Sequence, residues 1–405
     1  MVDKPLHRVL ASLADCHGLI MKLRMGQKPT LVVSDADIAR ECLTTHDRAF
    51  ASRPMVAAGR TLGFDYTAIA WATYGPLWRD LRKVCTLELL STRRLETLSH
   101  VRDEESANCL KRLYSVWEAR KEEGQKVQVG IRVDMVLEVI KKMVGGRSSL
   151  RLGPEEEVME FKELVEEAFY VSGLGDVMAV LGWIDLQGSE RAMKKLREKT
   201  NIISQLRLDE RSGDRSLRSL HPHLTGEISY QVHTPRNLVY AMNSDTSAVR
   251  LEWALASLLS NPEAMRKVKE ELDTKIGKKR RAIIKETMRL YSPAPLLVPH
   301  ESMEDCVVAG FHVPAGTRLL ISAWKIQRDP WWWNQPLKFE PDSMSLALSV
   351  VHLALASLLH SLDWHLPHDC SSLDMTETVG LTTPRASPLE ALMEPCLPLE
   401  LLCKS

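Results

Sequence analysis

Residues 345–362 (SLALSVVHLALASLLHSL) form the one long apolar run of the chain and restrict its fold more than any other feature. Such a run either crosses a bilayer or is buried on all sides within a large core. Its length is near the minimum for a span, about 17 residues. It carries His352, His360 and four serines, and Asp342 and Asp363 flank it. No Lys or Arg stands near its ends to set an orientation in a membrane. The run is therefore read as a core helix. A chain of 405 residues with 44% hydrophobic content can supply the surroundings that such a helix needs.

Charge excludes some partners. Lys plus Arg is 53 and Asp plus Glu is 53. A balanced chain has no electrostatic attraction for nucleic acid or an anionic membrane surface. The eight cysteines are scattered, and no two are spaced as Cys-x-x-Cys, so the common zinc and thioredoxin-like patterns are absent. Free thiols in a reducing compartment fit this usage better than a disulfide framework. The N-terminal residues MVDKPLHR lead into no basic-then-apolar segment, so neither signal peptide nor transmembrane anchor is expected in this chain.

Local pattern predicts mostly helix with a few small sheets. Residues 29–33 are a β-branched run, and Ser34 or Asp35 caps a helix over 35–44. Pro76 suits the first turn of a helix entered from a loop. Helical spacing is expected over 88–121, 155–172, 189–205, 236–260, 263–276 and 281–291, whereas 207–234 has no period and reads as loop. Strands are expected at 306–308, 311–313 and 318–322, with a tight turn at Pro314-Ala-Gly316. The proline-dotted segment from Asp363 onward is expected to hold further short strands.

Three short motifs carry chemical possibilities. Trp78 and Arg82, four apart in YGPLWRDLRK, share a helix face. They form either a clamp for an anionic group, through indole and guanidinium donors, or an ordinary half-buried Trp beside a surface Arg. Asp245-Thr246-Ser247 interrupts an otherwise apolar helix. It is either a solvated face or an acid and a hydroxyl placed to relay protons where the helix bends. Glu286 and Arg289, three apart in KETMRLYSPAPLL, form either a surface ion pair or a buried one that needs further partners.

Each motif alone is weak, but their order is informative. PLHRVLASLADCHG, RAFASRP, YGPLWRDLRK, SDTSAVRLEWAL, KETMRLYSPAPLL, EDCVVAGFHVPAGT and DPWWWNQPLKFEP follow one another as in the cytochrome P450 superfamily, and most of the chain resembles its plant class. The resemblance implies a mainly α fold with small β-sheets in a single domain over 1–405. Its parts are a β-rich stretch of about 1–55, a helical body of about 56–291, and small strands with a C-terminal helix over about 292–405. It implies a haem cofactor whose propionates are held by Trp78, Arg82 and His300. Asp245 and Thr246 match the residues that deliver protons to iron-bound oxygen. Glu286 and Arg289 match a buried bridge beneath the haem. Residues 59–70 and Pro295, Leu296, Leu297 and Val298 match segments that line a pocket for a small apolar plant metabolite. Electrons would come from NADPH only indirectly, through NADPH–cytochrome P450 reductase.

The chain also departs from that pattern. After Phe339-Glu-Pro-Asp342, Ser343 and Met344 stand where the family has an arginine and a phenylalanine. The glycine-rich loop with the axial cysteine is absent, and Met344 runs directly into Ser345-Leu-Ala-Leu. No metal ligand is therefore assigned. Cys370, Cys306, His352 and His360 are read as structural or surface residues, since a ligand needs a preformed, oriented site. The approach from Gly277 to Arg281 is short, and Met242 and Asn243 replace small residues. Two expectations follow. One is a haem-thiolate monooxygenase of plant specialised metabolism. The other is a truncated pseudoenzyme, a non-catalytic remnant or binding scaffold without the thiolate. The family resides at the endoplasmic reticulum membrane; without an anchor this chain is expected in the cytoplasm or peripheral on that surface.

Overall fold

The computed structural model describes residues 4–61, 63–89, 91, 96–97, 99–120, 127–130, 193–195, 197–198, 246–247, 249–273, 278–340, 349–367, 370, 372–378 and 382–396. In chain order the elements are α1 (Leu6–His17), β1 (Ile20–Met25), β2 (Lys28–Val33), α2 (Ala36–Leu43), α3 (Ala57–Thr61), α4 (Pro76–Val84), α5 (Ser99–Arg120) and β3 (Val127–Gly130). There follow α6 (249–259), α7 (Pro262–Asp273), α8 (Lys278–Leu290), β4 (His300–Glu301), β5 (Cys306–Val308), β6 (Phe311–Val313) and β7 (Arg318–Ile321). The last four are α9 (Ala323–Ile326), α10 (Ser349–Ser361), β8 (Leu362–His365) and β9 (Glu390–Pro395).

The main sheet has the order β1-β2-β7-β4. A two-residue turn joins β1 to β2, and Gly26 supplies its positive φ of 62°. β2 and β7 run parallel, with Leu31, Val32 and Val33 opposite Leu319, Leu320 and Ile321. Both runs are buried, as inner strands covered on both faces should be. Alternation sends Val32 and Leu320 to the face covered by Leu10 and Ala14 of α1. Leu31, Val33, Leu319 and Ile321 face Ala39 and Cys42 of α2 and the β5–β6 hairpin. The expected strands at 306–308 and 311–313 are present, and the one expected at 318–322 spans Arg318–Ile321. So is the 314–316 turn, where Gly316 has φ 76° and Thr317 N–H donates to the Pro314 carbonyl.

The second core is helical. Leu251, Leu255 and Leu258 of α6, Ile283 and Ile284 of α8, and Leu355, Leu358 and Leu359 of α10 are buried together with Met393 of β9. The described part of the apolar run is thus a core helix. Among the described residues no helix is long and apolar enough to cross a membrane. Trp253 locks α6 to the segment just beyond α8. Its ring stacks on Tyr291 at 4.2 Å and 6°, and its indole N–H donates to the Thr383 carbonyl.

Some expectations change. The helix expected over 88–121 is a π-helical turn, Cys85–Leu89, followed by α5 from Ser99. The helix before Tyr291 begins at Lys278 rather than Arg281. α1 and β1 had not been singled out. The expectations for 155–172 and 207–234, most of 189–205, and Met242, Asn243 and Asp245 lie outside the described residues, as does the junction 341–348. Asp35 caps α2 by accepting from the Asp37 and Ile38 amides, both at 2.9 Å. Asp35→Ala is expected to cost about 1 kcal/mol in urea unfolding, and Asp35→Asn only a fraction of that.

Candidate functional site

Glu286 and Arg289 lie on one face of α8 with side chains 1% and 3% exposed. The pair is bidentate: Nε donates to Oε2 at 2.8 Å and Nη2 to Oε1 at 2.7 Å. The further partners that a buried pair needs come from the backbone. The remaining donors of Arg289 go to the carbonyls of Gln327, Pro336 and Lys338, at 3.0, 2.6 and 2.9 Å. All five guanidinium N–H groups are thereby used. The Glu340 amide donates to Glu286 Oε1 at 2.8 Å, and the Trp333 ring lies 4.6 Å from the guanidinium carbon. Backbone atoms of residues 327–340 thus complete the pair. The signal was present in the tryptophan run of DPWWWNQPLKFEP, but carbonyls leave no pattern in side-chain chemistry.

Trp78 and Arg82 meet as the spacing predicts. Pro76 opens α4 at its first turn, and the Arg82 guanidinium carbon lies 5.1 Å from the Trp78 ring centroid. Trp78 is half-buried and Arg82 exposed. Tyr74 packs on the Trp78 ring at 5.5 Å. Among the described residues no hydrogen bond or ion pair connects this pair to His300.

His300 sits on β4, and its Nδ1 lies 2.6 Å from the Phe50 carbonyl. A carbonyl only accepts, so Nδ1 carries the proton. Burial, then the neighbouring Arg53 charge, lowers its pKa, against a smaller opposite effect of the Phe50 bond. Arg53, within the RAFASRP motif, was missed as a site residue. Its Nη1 donates to the Pro299 carbonyl at 3.0 Å, directly before His300. Of the pocket-matched segment, Pro295 is buried, Leu296 half-buried, and Leu297 and Val298 exposed. Leu297 has φ 54°, in the left-handed region. The Trp324 amide holds this segment through the Pro295 carbonyl at 2.9 Å. Thr246 is half-buried within a helical stretch at 246–247.

The second segment matched to a pocket contains more strain. Phe64, Asp65 and Tyr66 have φ of 49°, 53° and 62° in succession. For residues other than glycine such a conformation costs on the order of 1–3 kcal/mol each, and it persists only where the surroundings impose it. Sequence pattern gave no hint of it.

The cysteines are mainly neutral packing groups. Burial, with Glu41 and Cys306 nearby, pushes the Cys42 thiol up to about 12. Burial and then Glu304 and Asp305 raise Cys306. Burial and then Asp363 raise Cys396 to about 11. Cys370 donates its S–H to the Ser372 carbonyl at 3.2 Å. His360 is exposed.

Two outcomes are expected from these contacts. Arg289→Lys cannot reproduce the planar five-donor fan, and it is expected to destabilise by about 3–5 kcal/mol in denaturant unfolding, much as removal of Glu286 would. His300 has a folded pKa below its unfolded one, so below about pH 6.5 the unfolded chain binds more protons. That part of the stability is full above the unfolded pKa and is lost as pH falls. His300→Gln should flatten the acid side of a Tm-against-pH curve.

Comparison with known proteins identifies the family. The family described as Cytochrome P450 matches residues 1–343. Xanthotoxin 5-hydroxylase of Arabidopsis thaliana is 35% identical, over 98% of this chain and 90% of its own length. Demethylepipodophyllotoxin synthase of Sinopodophyllum hexandrum is 35% identical (96% and 87%), and flavonoid-6-hydroxylase of Mentha piperita 34% (97% and 88%). A zebrafish cytochrome P450 structure with progesterone superposes with a TM-score of 0.80 at 22% identity, covering 97% of this chain and all of that one. With its sequence, its relatives and its fold in agreement, the chain belongs to the cytochrome P450 family of haem-thiolate monooxygenases and is similar within it to plant hydroxylases.

Proposed function

We propose that this chain derives from an enzyme that inserts one atom of O2 into a small apolar plant metabolite, and that the 405 residues themselves keep the scaffold without turning over. The relatives support the first part, since they are named as hydroxylases of xanthotoxin and of flavonoids. Pro295, Leu296, Leu297 and Val298 would line the pocket, and Asp245 with Thr246 would handle protons. Electrons would come from NADPH through NADPH–cytochrome P450 reductase, at the endoplasmic reticulum surface where the family works.

The residues present match only part of what haem requires. On the propionate edge they fit in part: Trp78 and Arg82 offer an indole and a guanidinium on one helix face, and Arg53 adds a guanidinium beside Pro299, whereas the Nδ1 proton of His300 is committed to Phe50. At the axial position they do not. Thiolate ligation drives oxygen–oxygen cleavage in this family. The sequence from Ser343 to α10 contains no cysteine. That absence, where the resemblance places the axial thiolate, is the observation that carries the second part. The alignment to the Arabidopsis relative extends over 474 positions, more than the chain possesses, which supports segments missing from within it.

A reduced, carbon monoxide-treated sample prepared with haem supplied separates the possibilities. The chain is expected to give no red-shifted, thiolate-type Soret band. A chimera carrying the cysteine loop of xanthotoxin 5-hydroxylase between Met344 and Ser345 is expected to gain one. A thiolate band from the unmodified chain overturns the inactive reading. Should the scaffold survive as a binding protein, an apolar flavone would raise its Tm without any haem.

A further inference from the structure

The left-handed turn at Phe64–Tyr66 is folded back onto α3 as closely as a backbone allows. The Asp65 amide donates to the Arg60 carbonyl and the Tyr66 amide to the Gly59 carbonyl, both at 3.0 Å. A Cβ on Gly59 would lie 2.6 Å from the Tyr66 ring, and one on Gly63 would lie 2.4 Å from the Gly59 carbonyl oxygen. The two glycines make the approach possible, but they do not carry the positive φ values, which fall on Phe64, Asp65 and Tyr66. Local preference therefore opposes this turn, and contacts from elsewhere must favour it.

One such set of contacts comes from Arg197, far away in sequence. Its Nη2 lies 3.3 Å from Asp65 Oδ2, its guanidinium carbon lies 5.4 Å from the Phe64 ring centroid, and its Nη1 reaches the Arg60 carbonyl at 3.5 Å. A single planar cation thus touches two of the three strained residues and a carbonyl of α3. Asp65 is 66% exposed and Arg197 34%. An ion pair so exposed is weak alone and screened by salt. The cation–π contact with Phe64 adds to it, and a guanidinium makes such contacts more often than a lysine does. The result is a clamp strong enough to bias the turn and weak enough to release.

We propose that Arg197 is a positioning residue that latches residues 63–72 in their closed, left-handed form, and that its release opens this side of the pocket. The link to the pocket rests on the reading of residues 59–70 as pocket lining; the latch itself does not. Release would let Phe64, Asp65 and Tyr66 return to ordinary negative φ, turning a compact loop into an extended one.

Limited chymotrypsin digestion of the full chain tests the latch. Arg197→Ala is expected to speed cleavage after Phe64 and Tyr66 by about 3- to 10-fold, the scale of one weak contact. Cleavage elsewhere and Tm should stay unchanged. Arg197→Lys keeps the charge but not the guanidinium and should fall between the two. Equal rates in Arg197→Ala and the parent overturn the latch, and so does equal acceleration at every site with a lowered Tm. Titration with a flavone, read by tryptophan fluorescence, tests the pocket link. Weaker binding in Arg197→Ala, partly regained in Arg197→Lys, is expected. Faster cleavage with unchanged flavone affinity, or with no flavone binding even in the parent, overturns the pocket reading and leaves the latch standing.

Discussion

The buried pair of Glu286 and Arg289 is the interaction on which most of the C-terminal half depends. A guanidinium so deeply buried must use all its donors, because each unpaired one would forfeit its hydration. Arg289 does so by gathering the carbonyls of Gln327, Pro336 and Lys338, and Glu286 takes the Glu340 amide. The irregular segment 327–340 is thereby fastened to α8. Arg328 ties the same elements again, donating to the carbonyls of Arg289 and Leu290 at the end of α8 and to Trp324 in α9. Burial lowers its pKa to about 10, still charged at neutral pH. Trp324 in turn holds Pro295. The ion pair on α8 is thus linked to the conformation of the segment at Pro295, while His300 is held separately by Phe50 and by the pairing of β4 with β7.

A second polar knot closes the two ends of the chain on each other. His7 and Arg8 of α1 both reach Glu377 Oε1, at 2.8 and 2.6 Å, and the His7 ring lies 5.6 Å from that of Trp324. Burial alone would raise the Glu377 carboxyl, but the bonds and charges of His7 and Arg8 outweigh it and the net shift is downward. The backbone of Glu377 forms an isolated antiparallel β-bridge with that of Arg385, whose guanidinium lies 5.8 Å from the Trp253 ring. Trp253 then stacks on Tyr291, one residue beyond α8. The N-terminal helix, the sheet core and the helical core are thus coupled through a short series of aromatic and charged contacts.

What the sequence made legible is what local rules govern. β-branched runs, the Asp35 cap, Pro76 at a first turn and the Pro-Ala-Gly turn all appear where short-range chemistry puts them. The apolar run at 349–361 is legible for the same reason, since burial on every side leaves nothing polar to display. The misses are long-range. α1 has Leu10, Ala11 and Ala14 at helical spacing, yet its buried face also contains His7, a polar residue whose partner is Glu377. Nothing near His7 announces that partner. The completion of the Arg289 bridge by carbonyls, and the left-handed turn clamped by Arg197, are likewise products of tertiary contact. For the candidate site this meant that Trp78–Arg82 and Glu286–Arg289 were correctly paired, whereas Arg53, Trp333 and Arg197 were overlooked.

The same use of backbone partners bears on how a scaffold can outlast its chemistry. Were the Glu286–Arg289 pair dependent on a third side chain, its loss at Ser343 would leave buried charge unsatisfied and threaten the core. Backbone carbonyls from 327–340 remove that dependence, because they are present whatever residue occupies position 343. The two cores draw on β2, β7, α6, α8 and α10. A well-formed fold of this family is therefore evidence of descent and not, by itself, of turnover.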